Sequence, residues 1–276
     1  MEEISLTEIQ RIELDLLLNL DRVCRRHKLR YYIDGGTLLG AVCYDGFIPW
    51  DDDIDIKMPR PDYEKLLTLQ KAFPEHVFLD APRPQKCDYV FLKIVDNRTV
   101  LEEYTENGKK VTGVYIDVLP LDGHPDQKNV YEKHLKRLSR LNSLFHASQS
   151  GFAKMKGSDV FSTKVKGYIY SVIYSRWSLY RKLTATAKKY PYDSSSKVGL
   201  LIEGDPIRER YEKCWLEPPV MLSFEGYRFP ATNEAEKHLS IFYRKPISRD
   251  LYYQNLPYIP SAHRNVVYWK ESDAKA

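Results

Sequence analysis

Cysteine and long apolar runs are scarce in this sequence, and their scarcity excludes several classes of protein. The four cysteines, Cys24, Cys43, Cys87 and Cys214, are far apart and form no C-x-x-C pair, so neither a disulfide framework nor a cysteine-based zinc site is predicted. No window approaches about 18 uninterrupted apolar residues, so no transmembrane helix is expected. The acidic start, MEEISLTEIQRIELD, lacks the apolar segment of a signal peptide. These absences favour a reducing, cytoplasmic compartment.

Strong net charge and several well-known binding motifs are also missing. The net charge is only +4 over 276 residues, which is too small to indicate a nucleic-acid partner. The sequence contains no EF-hand loop and no H-x-x-x-H pair, and no serine or cysteine lies in a motif that activates a nucleophile. What remains is an ordinary globular composition, 43% hydrophobic and 29% charged, that is rich in tyrosine.

Hydrophobic periodicity predicts an α/β (α+β) core over about residues 1–125. Apolar residues at helical spacing predict a first helix that ends near residue 28, and Ser5 with Glu8 reads as its capping box. The segments predicted as strands are LRYYIDGG, DIDIKM, DYVFLKIVD and GVYIDVLPLDG. A short helix, TLLGAV, and a longer one, PDYEKLLTLQKAF, lie between them. This order predicts a mixed sheet covered by helices.

The remainder is predicted to form a helical basic insertion, residues 126–200, and a C-terminal segment, residues 201–276, that completes the substrate site. The segment QKNVYEKHLKRLSRLNSLF is typical of a helix. Residues 160–192 contain no acidic residue, and their seven Lys and Arg residues are interleaved with aromatics. They form either a solvated helical face or a surface that contacts an anionic membrane or polymer. Gly226 predicts a hairpin, and Asn233 with Glu236 a second capping box.

Four aspartates, Asp51, Asp52, Asp53 and Asp55, fall within the segment PWDDDIDIK. Residues i and i+2 of a strand share a face, so Asp53 and Asp55 are predicted to project together while Ile54 faces the core. Two neighbouring carboxylates repel each other unless a cation lies between them, and oxygen ligands of this kind suit Mg²⁺ or Mn²⁺. Asp51 and Asp52 are assigned supporting positions. The alternative, an acidic solvated turn, fits poorly with the apolar flanks.

Two further features complete the candidate site. Asp117 is a single charge inside the apolar strand VYIDVLPLD, which is explained either by a shared metal or by structural hydrogen bonds. Gly35 and Gly36 follow a strand, where they allow close approach of a ligand, and the amides of the next helical turn can hold phosphate oxygens. The segment is not a P-loop, because no G-K-[ST] follows.

The combined pattern resembles the nucleotidyltransferase superfamily, and more closely the LicD family with its fukutin-related members. The resemblance lies in DGGTLLGAV, GFIPWDDDIDIKMPRPDYEKL, YIDVLPLDG and FPATNEAEKHLSIFY. It implies a nucleotidyltransferase-like fold in which Gly35, Gly36 and Thr37 hold the donor phosphates. It also implies that Asp53, Asp55 and Asp117 are the catalytic and metal-binding residues.

The resemblance further implies a transferase that moves phosphocholine from CDP-choline to a sugar hydroxyl of a cell-surface glycan or teichoic-acid precursor. Lys93, a charge inside an apolar strand, is expected either to neutralise a phosphate or to pair with an aspartate. Trp50 and Tyr44 are candidates for holding a choline head by cation–π contact, although Trp50 is equally suited to packing in the core. The acceptor is expected to be a glycan or a lipid-linked saccharide, reached through membrane contact of residues 160–192.

Three rival functions stay open from the sequence. A nucleotidyltransferase that moves a whole nucleotide would use the same scaffold, and so would a phosphotransferase for CDP-glycerol or CDP-ribitol. A non-catalytic Ca²⁺- or glycan-binding module is the third. Strand-borne aspartates beside paired glycines favour metal–phosphate chemistry over that third alternative.

Overall fold

The structure is a computed structural model that describes residues 3–105, 108–149, 175–204, 206, 209–249 and 266–270. The chain divides into two compact units. The first unit contains Met1–Asp80, Leu92–Pro120 and Tyr211–Ala276, and the second contains Ala81–Phe91 and Leu121–Arg210. Helices and strands alternate along the chain, which confirms the predicted α/β class. The three-part division at residues 125 and 200 stays a prediction.

The first unit begins with a long helix and a compact β–α–β–α segment. Its elements are α1 (Leu6–His27), β1 (Tyr32–Asp34), α2 (Gly35–Tyr44), β2 (Asp55–Pro59), α3 (Arg60–Leu66), β3 (Val77–Asp80), β4 (Leu92–Asp96), β5 (Thr99–Thr105), β6 (Gly108–Thr112) and β7 (Tyr115–Gly123). The last three residues of β7 belong to the second unit.

Five strands of the first unit are neighbours in the order β1-β2-β7-β4-β3. β1 pairs antiparallel with β2, so Asp34 lies opposite Asp55. β4 pairs antiparallel with β7, so Lys93 lies opposite Asp117. Because Cβ atoms of directly opposed residues are only about 5 Å apart, this register brings charged residues from distant parts of the sequence together.

Helix α1 covers the core with one apolar face. The Ser5 hydroxyl accepts from the Glu8 amide at 3.3 Å, which confirms one half of the predicted capping box, whereas the Glu8 carboxylate accepts from Arg11. Lys28 ends the helix in a left-handed conformation. Leu16, Leu17 and Leu20 are fully buried. The same face carries Glu13, which is also buried.

Several boundaries differ from the predicted ones. Helix α3 ends at Leu66, and a 3₁₀ turn, Gln70–Ala72, follows. The Gln70 side chain donates to the Val77 carbonyl and accepts from the Leu79 amide, each at 2.8 Å. The strand predicted over residues 88–96 begins only at Leu92, and residues 81–91 belong to the second unit. The segment DIDIKM becomes a strand only from Asp55 onward. Strands β3, β5 and β6 were absent from the prediction.

The remaining described elements are β8 (Lys197–Leu200), β9 (Arg210–Glu212), β10 (Val220–Phe224), β11 (Tyr227–Ala231) and β12 (Val266–Trp269), with helices α4 (Lys128–Gln149), α5 (Arg176–Ala187) and α6 (Ala235–Tyr243). β10 and β11 form the predicted hairpin, in which Glu225 and Gly226 have positive φ. The second capping box is wrong. The Asn233 amide group instead donates to the carbonyls of Cys214 and Pro218, and the side chain of Glu234, the N-cap residue of α6, makes no capping hydrogen bond.

The second unit is built around α4 and α5, which pack against each other. Helix α4 confirms the helix predicted from its periodicity, and Leu138 and Phe145 are buried. Residues 121–123 of β7 pair antiparallel with β8. No helix within the described ranges is both long and apolar enough to span a lipid bilayer. Residues 160–174 of the predicted basic surface and residues 250–265 lie outside the described residues.

Candidate active site

The turn between β1 and α2 is shaped by two glycines. Gly35 has φ of +57°, a conformation that glycine adopts without steric cost. The Asp34 carboxylate accepts from the Gly35 amide at 2.7 Å and caps α2. A Cβ on Gly36 would lie 2.7 Å from Asp51 Oδ2, and one on Gly35 would overlap the Asp55 carboxylate. The missing side chains therefore let the turn lie directly against two aspartates.

The aspartates are carried by the segment that enters β2. Ile54 and Ile56 are fully buried, which confirms the predicted alternation around Asp55, although Asp53 precedes the strand. The Thr37 hydroxyl accepts from the Asp55 amide at 2.9 Å and ties α2 to β2. The Asp117 amide donates to the Ile54 carbonyl at 2.9 Å, which brings β7 to the same segment.

Lys93 and Asp117 form a salt bridge across β4 and β7, with Nζ 2.9 Å from Oδ1. The Lys93 side chain is 3% exposed and the Asp117 side chain 20% exposed, so Asp117 is the partner nearer to solvent. Lys93 Nζ also lies 3.2 Å from the centroid of the Tyr115 ring. Of the two sequence-based alternatives for Lys93, pairing with an aspartate is the one that the structure contains. A role with donor phosphate stays a prediction.

The carboxylates of this cluster raise one another's pKa. Burial, the charges of Asp53 and Asp52, and a hydrogen bond with Asp53 raise the pKa of Asp51 to about 7. Burial and the charges of Asp53 and Asp117 raise the pKa of Asp55 well above its usual value, although Lys57 acts in the opposite direction. Asp51 therefore lies among the interacting carboxylates, and its supporting role stays a prediction.

Glu13 of α1 adds a sixth carboxyl group, which was not predicted from the sequence. It is 2% exposed, and its Oε2 atom has no hydrogen-bond partner among the described residues. Burial, followed by the charges of Asp53, Asp52 and Asp51, raises the pKa of Glu13 well above its ordinary value. Its position on the apolar face of α1, beside Ile9, Ile12 and Leu16, was the signal that a sequence analysis could have used.

These carboxylates fit a divalent cation that arrives with a substrate. Within the described parts of the chain, no three Asp, Glu, His or Cys side chains converge on a single point as a ready-made metal site. Mg²⁺ seldom needs such a cage, because it is commonly held by one or two carboxylates together with substrate phosphates and water. The mutually repelling aspartates could supply the carboxylate ligands of such an ion, and the glycine turn beside them leaves room for the substrate phosphates.

Behind the glycine turn lies a second cluster, the buried network of Asp34, Lys57, Tyr211 and His238. Lys57 Nζ is 2.9 Å and His238 Nε2 3.0 Å from the Asp34 carboxylate, which also accepts from the Tyr211 hydroxyl. Lys57 donates to the Tyr211 oxygen at 2.8 Å. Each of the four residues is at most 4% exposed. Burial alone would raise the pKa of Asp34, but Lys57, His238 and these hydrogen bonds hold the pKa well below its usual range.

This network was not predicted from the sequence, because its members come from β1, β2, β9 and α6. The only local signal was a charged residue at the end of the apolar strand YYID and another inside DIKM. Tyr211 and His238 carried no signal, since nothing in the sequence indicates that they meet Asp34. The network holds Asp34, whose carboxylate caps α2 at the glycine turn, in place.

The structure thus brings most, but not all, of the predicted residues together. Gly35, Gly36 and Thr37 meet the aspartates, and Asp117 with Lys93 joins them through β7 and β4. Tyr44 lies at the opposite end of α2, about 14 Å along the helix axis from Gly35. Trp50 directly precedes Asp51 and is half-buried. Of the two aromatic candidates, only Trp50 is therefore adjacent to the acidic cluster.

The chain is similar to known proteins over this region. Residues 28–139 match a family model described as LicD/FKTN/FKRP, nucleotidyltransferase domain. The chain is 26% identical over 251 residues to the lipopolysaccharide cholinephosphotransferase LicD of Haemophilus influenzae, a match that covers 88% of this chain and 91% of that protein. It is also 28% identical over 111 residues to the uncharacterized protein RP689 of Rickettsia prowazekii, covering 40% of this chain and 39% of that one. The resemblance stated from the motifs is confirmed.

Proposed function

We propose that this chain is a member of the LicD family and a metal-dependent transferase that moves phosphocholine from a CDP-activated donor to a sugar hydroxyl, a proposal supported by the matching family model and by the Haemophilus influenzae relative. The observation that carries the proposal is the direct contact of the glycine turn with the aspartates of the β2 segment. That arrangement places backbone amides for phosphate next to carboxylates for a cation.

The donor diphosphate would lie at the start of α2. The amides of Gly36 and Thr37 are in the first turn of this helix, where N–H groups lack intrahelical partners and the helix dipole favours an anion. Asp53 and Asp55 would hold Mg²⁺ or Mn²⁺, with Asp51 and Asp52 in support. The ion, when bound, neutralises charge on the diphosphate and on the departing cytidine monophosphate.

Asp117 is the candidate for the acceptor side of the reaction. It is part of the cluster but partly exposed, and its salt bridge with Lys93 fixes the orientation of the carboxylate. We assign it either to the metal or to the acceptor hydroxyl, from which it would take a proton as the bond to phosphorus forms. Lys93 is a positioning residue in this scheme, since its ammonium group is engaged by Asp117.

The identity of the transferred group rests on the Haemophilus influenzae relative, which is described as a cholinephosphotransferase acting on lipopolysaccharide. CDP-choline is accordingly the preferred donor, and a glycan or lipid-linked saccharide the preferred acceptor. Trp50 is the aromatic residue best placed to contact a choline head, because it directly precedes Asp51. A cytoplasmic location, with peripheral membrane contact through residues 160–192, completes the proposal.

The experiment tests a panel of ligands by two measurements, the melting temperature of the chain and the release of CMP. The purified chain is heated with CDP-choline, CDP-glycerol or CDP-ribitol, each with Mg²⁺, with Mn²⁺ or with EDTA. A ligand at about 100 times its dissociation constant stabilises the folded state by about 2.7 kcal/mol. We expect CDP-choline with metal to give the largest rise in melting temperature and EDTA to remove it. Release of CMP in the presence of a saccharide acceptor is then measured.

Each result separates the proposal from its rivals. A larger rise with CDP-glycerol or CDP-ribitol would identify a polyol donor. Pyrophosphate release from a nucleoside triphosphate, without CMP release from any CDP-linked donor, would identify a nucleotidyltransferase. Stabilisation by Ca²⁺ or glycan alone, with no donor turnover, would identify a binding module. Asp15→Asn, on the exposed side of α1, is the matched control that should behave like the unmodified chain.

A further inference from the structure

Helices α4 and α5 of the second unit enclose a cleft of about 470 Å³, which we call the basic cleft. The residues of this cleft that matter here are Lys133, His134, Arg137, Lys182, Lys189 and Tyr190. No acidic residue lines the cleft within the part of the chain that the structure describes. Its volume is within the range of small-ligand sites.

The positions of these residues follow from helix geometry. Lys133 and Arg137 are four residues apart on α4 and therefore project from the same face. Lys182 is on α5, and Lys189 follows two residues after that helix ends at Ala187; both line the cleft. These cations are exposed, whereas His134 of the same cleft is buried.

The cations of the cleft have few negative partners in the fold. Like charges at i and i+4 destabilise a helix, so the Lys133–Arg137 pair opposes α4. No carboxylate of the described residues lies within salt-bridge distance of Lys133, Arg137 or Lys189, while Lys189 lies 5.5 Å from the centroid of the Tyr190 ring. Three cations that have no carboxylate partner among the described residues indicate an anionic ligand.

His134 provides a second, independent observation. It lines the cleft, is 6% exposed, and its Nε2 atom has no hydrogen-bond partner among the described residues. Its ring meets the Tyr190 ring edge-on with centroids 5.0 Å apart. Burial, followed by the charge of Lys189 and with a further contribution from Arg137, lowers the pKa of His134, although Asp122 opposes this. A buried polar atom in a cationic wall leaves a hydrogen-bonding position open for a ligand oxygen.

We propose that the basic cleft is a binding site for a phosphate group, separate from the residues assigned to transfer. An arginine fork matches the geometry of phosphate oxygens, and Lys133 and Lys189 supply compact charge around it. The imidazole of His134, protonated on Nε2, donates to one oxygen and holds the group at the wall. The phosphate is carried either by a soluble saccharide or polyol phosphate or by the head group of an anionic lipid.

The experiment measures binding to the full chain without divalent metal, so that a donor site that depends on metal does not contribute. One arm titrates glycerol 1-phosphate by calorimetry at low ionic strength. The other sediments the chain with vesicles of phosphatidylglycerol and phosphatidylcholine, compared with phosphatidylcholine alone. Binding in the first arm alone identifies a soluble phosphate, and binding in the second alone identifies a lipid head group. Either result supports the proposed site, provided that binding is weakened by substitution of the cleft residues.

That dependence is tested with two charge-matched variants. Arg137→Gln/Lys189→Gln removes two cations from the cleft, and we expect affinity to fall at least about tenfold, since each lost bond was charge-assisted. Lys128→Gln/Lys136→Gln removes two exposed cations of α4 that do not line the cleft, and should bind like the unmodified chain. Equal loss in both variants, or no binding of either probe to the unmodified chain, would overturn the proposal. Should the cleft variant not fold, Lys133→Glu repeats the test.

Discussion

The acidic cluster of the first unit and the basic cleft of the second unit are both groups of like charge, but they are held in different ways. Asp51 and Asp55 are partly buried, lie against backbone, and have pKa values raised by burial and by neighbouring carboxylates. The cations of the basic cleft are on long, exposed side chains, those of Lys133, Arg137 and Lys189. Under the proposed functions, the partly buried acidic cluster would hold a small cation, whereas the exposed side chains of the basic cleft would suit a larger anion.

The network of Asp34, Lys57, Tyr211 and His238 shows what a compensated cluster looks like in the same unit. Its carboxylate has a cation, a hydroxyl and an imidazole as partners, and the pKa of Asp34 is held low. Asp55 lies directly opposite Asp34 on the neighbouring strand, yet the pKa of Asp55 is raised. The pKa of Asp34 is lowered because positively charged and hydrogen-bonding partners surround its carboxylate, whereas the pKa of Asp55 is raised because burial and neighbouring carboxylates outweigh Lys57.

Breaking the compensated network should give the largest effect on stability. Asp34→Asn removes the carboxylate beside the buried Lys57 ammonium, and we expect the free energy of unfolding to fall by about 3 kcal/mol. Urea unfolding, with EDTA present, measures it. In the double variant Asp34→Asn/Lys57→Met no unpaired ammonium is left, so part of the loss should be recovered. Equal urea midpoints for Asp34→Asn and the unmodified chain would show that the network does not stabilise the fold.

The same substitution in the acidic cluster should act in the opposite direction. Asp53→Asn relieves repulsion, so with EDTA present we expect the free energy of unfolding to rise by about 1 kcal/mol. Transfer from the CDP-linked donor should fall at least about a hundredfold, and stabilisation by Mg²⁺ with donor should disappear. Asp15→Asn serves again as the control. Normal transfer by a folded Asp53→Asn chain would remove Asp53 from the proposed site.

The basic cleft should show the smallest change in stability. Arg137→Gln/Lys189→Gln removes exposed like charges, so without phosphate and at low ionic strength we expect a gain of up to about 0.5 kcal/mol. At 1 M salt the Debye length is about 3 Å, and the gain should vanish. Thermal unfolding at both salt concentrations, with Lys128→Gln/Lys136→Gln as control, gives the comparison. A loss of stability that persists at high salt would mean that these side chains pack structurally.

Local sequence predicted what depends on neighbours along the chain. The periodicity of α1, its Ser5 cap, the turn at Gly226 and the alternation of Ile54 and Ile56 around Asp55 are local properties, and the structure contains them. The capping box at Asn233 failed because the helix has Glu234 as its N-cap residue, while Nδ2 of Asn233 donates to the distant carbonyls of Cys214 and Pro218.

The sequence by itself determined the chemistry that is available, namely paired glycines, strand-borne aspartates and a stretch of basic residues, because residue type and spacing along one element decide which side chains share a face. Only the tertiary structure decided which of these charges are compensated. Strand register set Lys93 against Asp117, and the packing of α1, β9 and α6 brought Glu13 to the aspartates and Tyr211 with His238 to Asp34. Electrostatic energy depends on distance through space and on burial, and neither is written in the order of residues.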